Sequence, residues 1–430
     1  MLLTELPGSK AFFHYSKKYY KTIMRKFILD INPATGELIE KIKCSSPGEV
    51  ASGVKLARKA SKTWHLTPMK KRIHLFKNIA KDLVKEKMRI GELITLEMGK
   101  LYKSAMGEVE GTAYAIEENI ILAEKAAAVE TFKEGKQVTE LHRLPLGVVA
   151  VITPWNFPVG MPESLLSPAI LMGNTAVFKP SENTPLTGKA LYDVFNKHLP
   201  KGVINLVQGA EEVGEALLKS DIDMVAFVGS QAVGKKIMEV CSKNLTRLVL
   251  ELGGKDPMIV LKDADLARAV PYAVHGSLRN SGQVCVSVER IYVEDKIAGK
   301  FEKMVLDEVK NYTVGSGFED VSMGPMVSEA QRNHVLSQIE DARKKGAKVI
   351  FGGNKIDGEG FFIEPTVITN VSERHDIMTN ETFGPVICIQ KVKNVEEAIE
   401  KSNNSCFGLG ATVWTWSFNK GKQISEKIKS

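Results

Sequence analysis

Between residues 140 and 227 the chain alternates two kinds of segment, and that alternation limits its folds more than any other feature. β-rich apolar runs at 146–152, 175–178, 203–207 and 224–228 are closed by Pro or Gly and separated by helical stretches over 186–198, 213–220 and 234–243. Strands joined through helices lie parallel, with helices on both faces of the sheet. This is the pattern of a dinucleotide-binding half. After Gly253 and Gly254 the alternation restarts with Met258-Ile259-Val260-Leu261, a helix over 266–279, a strand at 290–293 and a long helix near 298–310. Gly352, Gly353 and Pro365 punctuate a further strand-rich stretch, so a second α/β unit follows the first. Ahead of both, Ile31-Asn32-Pro33-Ala34-Thr35-Gly36 turns a short strand back near the start of the globular part at Phe27. Ile73, Phe76, Ile79 and Leu83 fall on one face of a helix over 71–85, and a second helical region spans 90–124, with Gly99 ending or bending a helix.

The 430 residues suggest two or three domains. Lys and Arg number 58 against 51 Asp and Glu, and the two signs are interleaved, so no nucleic-acid partner is implied. The five cysteines, Cys44, Cys241, Cys285, Cys388 and Cys406, are widely spaced, without a Cys-x-x-Cys pair. That argues against a disulfide framework and against a metal site, and for a reducing, cytoplasmic setting. The most apolar stretch, 165–178, is broken by Ser167, Pro168, Gly173 and Asn174, which is no membrane span. Residues 1–26 carry six basic residues against Glu5 and read as a cytoplasmic extension or an early start ahead of Met24, an organelle signal being the alternative.

Cys285 lies in Asn280-Ser281-Gly282-Gln283-Val284-Cys285, on a Gly-containing turn between a helix and a strand. Such turns present nucleophiles, although a single Cys is as readily an inert buried residue. Glu251, between Leu250 and Leu252 at a strand's end, is placed either as a partly desolvated general base or as a solvated strand-end carboxylate. Asn156 sits between Pro154 and Pro158 just after a strand, as an oxyanion donor or an ordinary turn residue. No Gly-x-Gly-x-x-Gly follows a strand. Instead, Phe227-Val228-Gly229-Ser230 leads from strand to helix and offers free N–H groups to a pyrophosphate, or is a plain turn. Lys179 and Glu182 close the 175–178 strand and either grip ribose hydroxyls or form a surface pair.

In order and spacing these segments resemble the NAD(P)-dependent aldehyde dehydrogenase superfamily, from about Phe27 to the last residue. The matching stretches are Pro145-Leu146-Gly147-Val148-Val149, Ile152-Thr153-Pro154-Trp155-Asn156-Phe157-Pro158, Phe178-Lys179-Pro180-Ser181-Glu182, Phe227-Val228-Gly229-Ser230, Leu250-Glu251-Leu252-Gly253-Gly254-Lys255, Gly282-Gln283-Val284-Cys285 and Glu381-Thr382-Phe383-Gly384-Pro385. The resemblance implies a Rossmann-like cofactor domain (27–125 and 147–253), a small β oligomerisation arm (126–146) and a second α/β catalytic domain (254–430). It implies that Cys285 attacks the aldehyde carbon, that Asn156 and the Cys285 N–H hold the oxyanion, and that Glu251 activates the water that hydrolyses the thioester. Glu381 and Phe383 match residues that hold the nicotinamide ribose and ring. Trp155, Lys179, Ser181 and Glu182 match the adenosine side, Gly229 and Ser230 the pyrophosphate, with Ile152, Thr153, Pro154 and Leu252 as further cofactor contacts. Glu182 favours NAD over NADP, since a carboxylate accepting from the ribose 2′-OH repels a 2′-phosphate, while Lys179 leaves room for NADP.

The family continues past a segment like 424–430 into a strand, a loop near the substrate mouth and a final strand that pairs across subunits. A homodimer or homotetramer is the family's assembly, and the C-terminal strand would be part of its interface. The competing reading is an inactive or cofactor-binding-only remnant; a cysteine hydrolase is disfavoured because no His lies near the Cys285 motif. The stretches 252–260 and 286–290 are similar to semialdehyde-oxidising branches, so succinate semialdehyde or another small polar aldehyde is the expected substrate.

Overall fold

A computed structural model describes residues 26–429. The proposed N-terminal extension lies, but for Lys26, outside the described residues. Five strands, β5 (Val148–Ile152), β6 (Thr175–Lys179), β7 (Ile204–Leu206), β8 (Met224–Val228) and β9 (Arg247–Glu251), form a parallel sheet in the order β7-β6-β5-β8-β9. Its central strands read as unbroken apolar runs because both faces are covered. Val149, Val151, Ala176 and Phe178 pack with the helices Met69–Met98 and Tyr102–Ala127, whereas Val148, Ala150 and Val177 pack with Pro47–Trp64 and Glu211–Leu218. Neighbours along a strand point to opposite faces, so the period of two sorts them into separate cores.

The second sheet, β12-β13-β14-β11-β10-β15, obeys the same rule. Its core strands are β10 (Asp256–Val260), β11 (Val288–Glu294) and β14 (Val386–Val392), with β12 (Lys348–Phe351), β13 (Thr366–Thr369) and β15 (Thr412–Trp414) outside them. Met258, Val260, Ile291 and Val293 face one core, and Ile259 and Tyr292 face the other. All its pairings are parallel except β12 with β13. Ahead of both sheets in sequence, β1 (Phe27–Ile31) pairs antiparallel with β2 (Leu38–Lys43), and β3 (Glu130–Glu134) and β4 (Gln137–Leu141) make an antiparallel hairpin exposed at every residue. No described helix is long and apolar enough to cross a membrane.

Three expectations are corrected. The helix expected over 71–85 and the first part of the second helical region are one helix, α2 (Met69–Met98), following α1 (Pro47–Trp64). Its end is set by Gly99, whose φ of 77° is the left-handed cap that a glycine adopts without a Cβ penalty. α3 (Tyr102–Ala127) then starts after three residues. The helix expected from 234 begins earlier, at Gln231, because the Ser230 hydroxyl caps it by accepting from the Val233 N–H. The third correction concerns Glu251 and belongs to the site.

Candidate active site

The strand order of the first sheet reverses between β5 and β8, and in open parallel sheets the crevice at the carboxyl ends of such strands takes ligands. A cavity of about 220 Å³ opens there, lined by Pro154, Trp155 and Asn156 beyond β5, by Val228, Gly229 and Ser230 at the end of β8, and by Leu252 and Gly253 beyond β9. Cys285, Glu381 and Phe383 reach the same cavity from the second α/β unit. Residues nearly 230 positions apart in the chain, Trp155 and Phe383, meet edge to face at 5.5 Å.

Cys285 is presented by an unusual turn. Asn280, Ser281 and Gly282 follow one another in the left-handed region, with φ of 52°, 57° and 70°. The two non-glycine residues cost of order 1–3 kcal/mol each, and such strain persists only where surrounding contacts dictate it. Here Ser281 Oγ donates to Gly324 O at 2.8 Å, while Gln283 Nε2 donates to Asn280 O at 3.0 Å and Gln283 Oε1 accepts from Val327 N at 2.9 Å. Gly282 admits no side chain, because a Cβ there would collide with the Gly384 carbonyl. Burial pushes the Cys285 thiol above its ordinary range; the N–H groups of Val286 and of Cys285 itself oppose this, and the charges of Asp256 and Glu381 add to it.

Asn156 is buried, and its side-chain Nδ2 donates to Gln283 O at 3.1 Å. One amide proton is thereby committed to the Cys285 loop, which leaves the other for the cavity. Glu381 lines the cavity with its Oε1 accepting from Gly254 N at 3.1 Å. Burial and the nearby Glu289 carboxylate raise its pKa to about 7. Phe383 holds a left-handed φ of 49°, and the Glu289 carboxylate pins it by accepting from the N–H groups of Thr382 and Phe383, each at 2.9 Å. Lys255, fully buried, pairs with Glu289 and donates to Thr382 Oγ1 at 3.0 Å.

Glu251 is not enclosed between Leu250 and Leu252. β9 is an edge strand whose residues alternate exposed and half-buried, and Glu251 falls in the exposed set with Arg247 and Val249. Its backbone still belongs to the site, since its carbonyl accepts from Gly229 N at 3.0 Å. At the end of β6, Lys179 is buried and Glu182 exposed, with 3.7 Å between their charged atoms. Burial lowers the Lys179 pKa and Glu182 opposes that shift. Ser181 is buried next to them, and Ile152 and Thr153 lead from β5 towards Pro154. The buried Thr153 hydroxyl has no hydrogen-bond partner among the described residues. A buried hydroxyl without a partner just beyond β5, together with the helix N-terminus at Ser230 that opens on the cavity, fits a dinucleotide.

Several residues that shape the site carried no local signal. Gln331 holds the Thr382 and Phe383 carbonyls at 3.2 and 3.1 Å. His334, remote from Cys285 in sequence, lines the same cavity, but its Nε2 lies 3.2 Å from the Glu381 carbonyl. Both sit on one helix, Glu329–Lys344, and face the same loop three residues apart, which only the fold reveals.

The aldehyde dehydrogenase family model matches residues 20–430 of this chain. Among curated proteins, 2,5-dioxopentanoate dehydrogenase of Saccharolobus solfataricus is 39% identical over 393 residues, covering 90% of this chain and 82% of the relative. Among solved structures, lactaldehyde dehydrogenase from Escherichia coli superposes with a TM-score of 0.90 at 34% identity, covering 94% of this chain and 86% of that one. Betaine aldehyde dehydrogenase from Staphylococcus aureus, in complex with NAD+, gives a TM-score of 0.89 at 31% identity, over 97% and 87% of the two chains.

Proposed function

The chain belongs to the aldehyde dehydrogenase family, and from that premise we propose which of its residues carry the NAD(P)-dependent oxidation of an aldehyde to a carboxylic acid. The observation that carries the reading is the single cavity into which Cys285, Asn156, Glu381, Phe383 and Gly229 converge from both α/β units. Cys285 gives up its thiol proton to solvent, its Sγ forms a bond to the aldehyde carbon as the C=O π pair moves to oxygen, and the oxygen that gains charge is met by the free Asn156 amide proton and the Cys285 N–H. When bound, the nicotinamide supplies the hydride acceptor through which the carbon becomes a thioester. Glu251 takes a proton from the water that attacks this thioester, releasing the acid and restoring the thiol. Glu381 and Phe383 bind the nicotinamide side; Gly229 and Ser230 take the pyrophosphate; Ile152, Thr153, Pro154, Trp155, Lys179, Ser181, Glu182 and Leu252 form the remaining cofactor wall. Residues 27–125 with 147–253 form the cofactor domain, 126–146 the arm and 254–430 the catalytic domain.

NAD is the preferred cofactor in this reading, because the exposed Glu182 carboxylate stands beside Lys179 at the end of β6. Replacing Glu182 by Ser is expected to raise the NADP-to-NAD ratio of kcat/KM at least about tenfold, which is ~1.4 kcal/mol of discrimination; an unchanged ratio would place selectivity elsewhere. The substrate is an aldehyde that carries a carboxylate. Arg279, exposed and without an ion pair among the described residues, lines a second cavity of about 240 Å³ with Ser104, Phe157, Tyr312 and Ser322, next to the Cys285 turn. A relative named for 2,5-dioxopentanoate supports the same class.

The test is NAD(P)H formation at 340 nm with purified protein, both cofactors and paired aldehydes, succinate semialdehyde against butanal. Arg279→Met is expected to raise KM for the carboxylated aldehyde about tenfold or more, as the loss of a charge-assisted hydrogen bond of ~1.5–3 kcal/mol requires. An equal effect on butanal would deny Arg279 that role. A homodimer or homotetramer in a cytoplasmic setting completes the proposal, supported by the exposed Phe132, Val138 and Leu141 on the β3–β4 hairpin, which a second copy would cover, and by five unpaired cysteines.

A further inference from the structure

Lys100 and Glu108 form a buried ion pair, with side chains 3% and 6% exposed, whose remaining bonds all reach one loop. Lys100 follows the Gly99 cap and Glu108 lies in the second turn of α3. The Lys100 ammonium donates to Glu108 and, at 2.8 Å, to the carbonyl of Asn156, and it stands 4.0 Å from the centre of the Phe157 ring. The other oxygen of Glu108 accepts from Val159 N at 3.0 Å and Gly160 N at 3.1 Å. The pair therefore spans residues 156–160, a segment that precedes the helix Gly160–Leu171. A buried ion pair seldom stabilises a fold more than apolar side chains of the same volume would, so stability alone does not account for it.

On the opposite side, Asn280 Nδ2 donates to the same Asn156 carbonyl at 3.2 Å, and the Asn156 amide donates to Gln283 O. The peptide of Asn156 is thus held between the helix layer and the Cys285 turn. We propose that Lys100 and Glu108 are a positioning pair that fixes the Asn156 amide where the oxyanion develops. The inference rests on the reading of Asn156 as the oxyanion donor. A donor's worth depends on its placement before the reaction, and a displacement of about 1 Å lowers rates by about 10²-fold.

The test compares Lys100→Met and Glu108→Gln, each alone and combined with Asn156→Ala, in aldehyde oxidation by the full chain. Either single change is expected to lower kcat about 10- to 100-fold, with KM for NAD and the rate of Cys285 alkylation by iodoacetamide unchanged. In the Asn156→Ala background neither should lower kcat by more than about twofold further, because the donor they position is already gone. Losses that multiply with that of Asn156→Ala, or single variants with wild-type kcat, overturn the proposal. If Lys100→Met does not fold, Glu108→Gln decides, since it keeps an acceptor for Val159 and Gly160 while it removes the charge and the oxygen that accepts from Lys100; Lys100→Arg should restore most of the rate. Wild-type kcat in Asn156→Ala would instead remove the oxyanion reading itself, an outcome distinct from a large Asn156→Ala loss beside silent pair variants.

Discussion

Cys285→Ala is expected to lower aldehyde-dependent NAD(P)H formation by about 10⁴-fold or more, because no second nucleophile is available to make the covalent intermediate. The cavity holds no other thiol: the remaining described cysteines, Cys44, Cys241, Cys388 and Cys406, are absent from its lining. Cofactor binding and the thermal midpoint should be unchanged, since the turn is held by Ser281, Gln283 and Gly282 and not by the sulfur. In wild-type protein without cofactor, iodoacetamide should alkylate Cys285 faster as pH rises, the limb lying above that of a free thiol. The sign follows from burial and from the Asp256 and Glu381 charges, all of which disfavour the thiolate. A Cys285→Ala protein that still turned over aldehydes would end the covalent mechanism, whatever the family.

Glu251→Gln is expected to separate the two halves of the reaction. Hydride transfer should survive as one burst of NAD(P)H per site, while steady-state kcat falls about 10²- to 10³-fold, the usual worth of a general base. The thioester should then accumulate on Cys285, visible as an added acyl mass and released by hydroxylamine. This is the more demanding of the two tests, because Glu251 is exposed at the end of an edge strand. A solvated carboxylate reaches water easily, but it must be directed towards Cys285 to act. Should Glu251→Gln keep its full kcat with no burst, the base is another carboxylate. Glu381 then stands next, since it lines the cavity and titrates at about 7. Its variant Glu381→Gln would carry the deacylation defect in place of Glu251→Gln.

The sequence by itself determined the sheets and marked out the turn that carries Cys285. Strands such as Val148–Ile152 and Thr175–Lys179 are apolar at almost every position, and helical patterns separate them, so the parallel arrangement and the ligand crevice at its strand ends follow from local pattern alone. The Cys285 turn was legible as a glycine-containing break between a helical and a strand pattern; that Gly282 packs against the Gly384 carbonyl is a tertiary fact. The tertiary structure alone decided what surrounds these residues. Leu248-Val249-Leu250 looks like a buried strand, yet β9 ends the sheet, and an edge strand's burial depends on which partner is missing, a long-range fact. Lys100 and Glu108, Lys255 and Glu289, and Gln331 and His334 act through contacts with loops far from them in sequence. Their charge and polarity are unremarkable along the chain. They acquire a role only when packing removes water from them and leaves a peptide group of the site as the nearest partner.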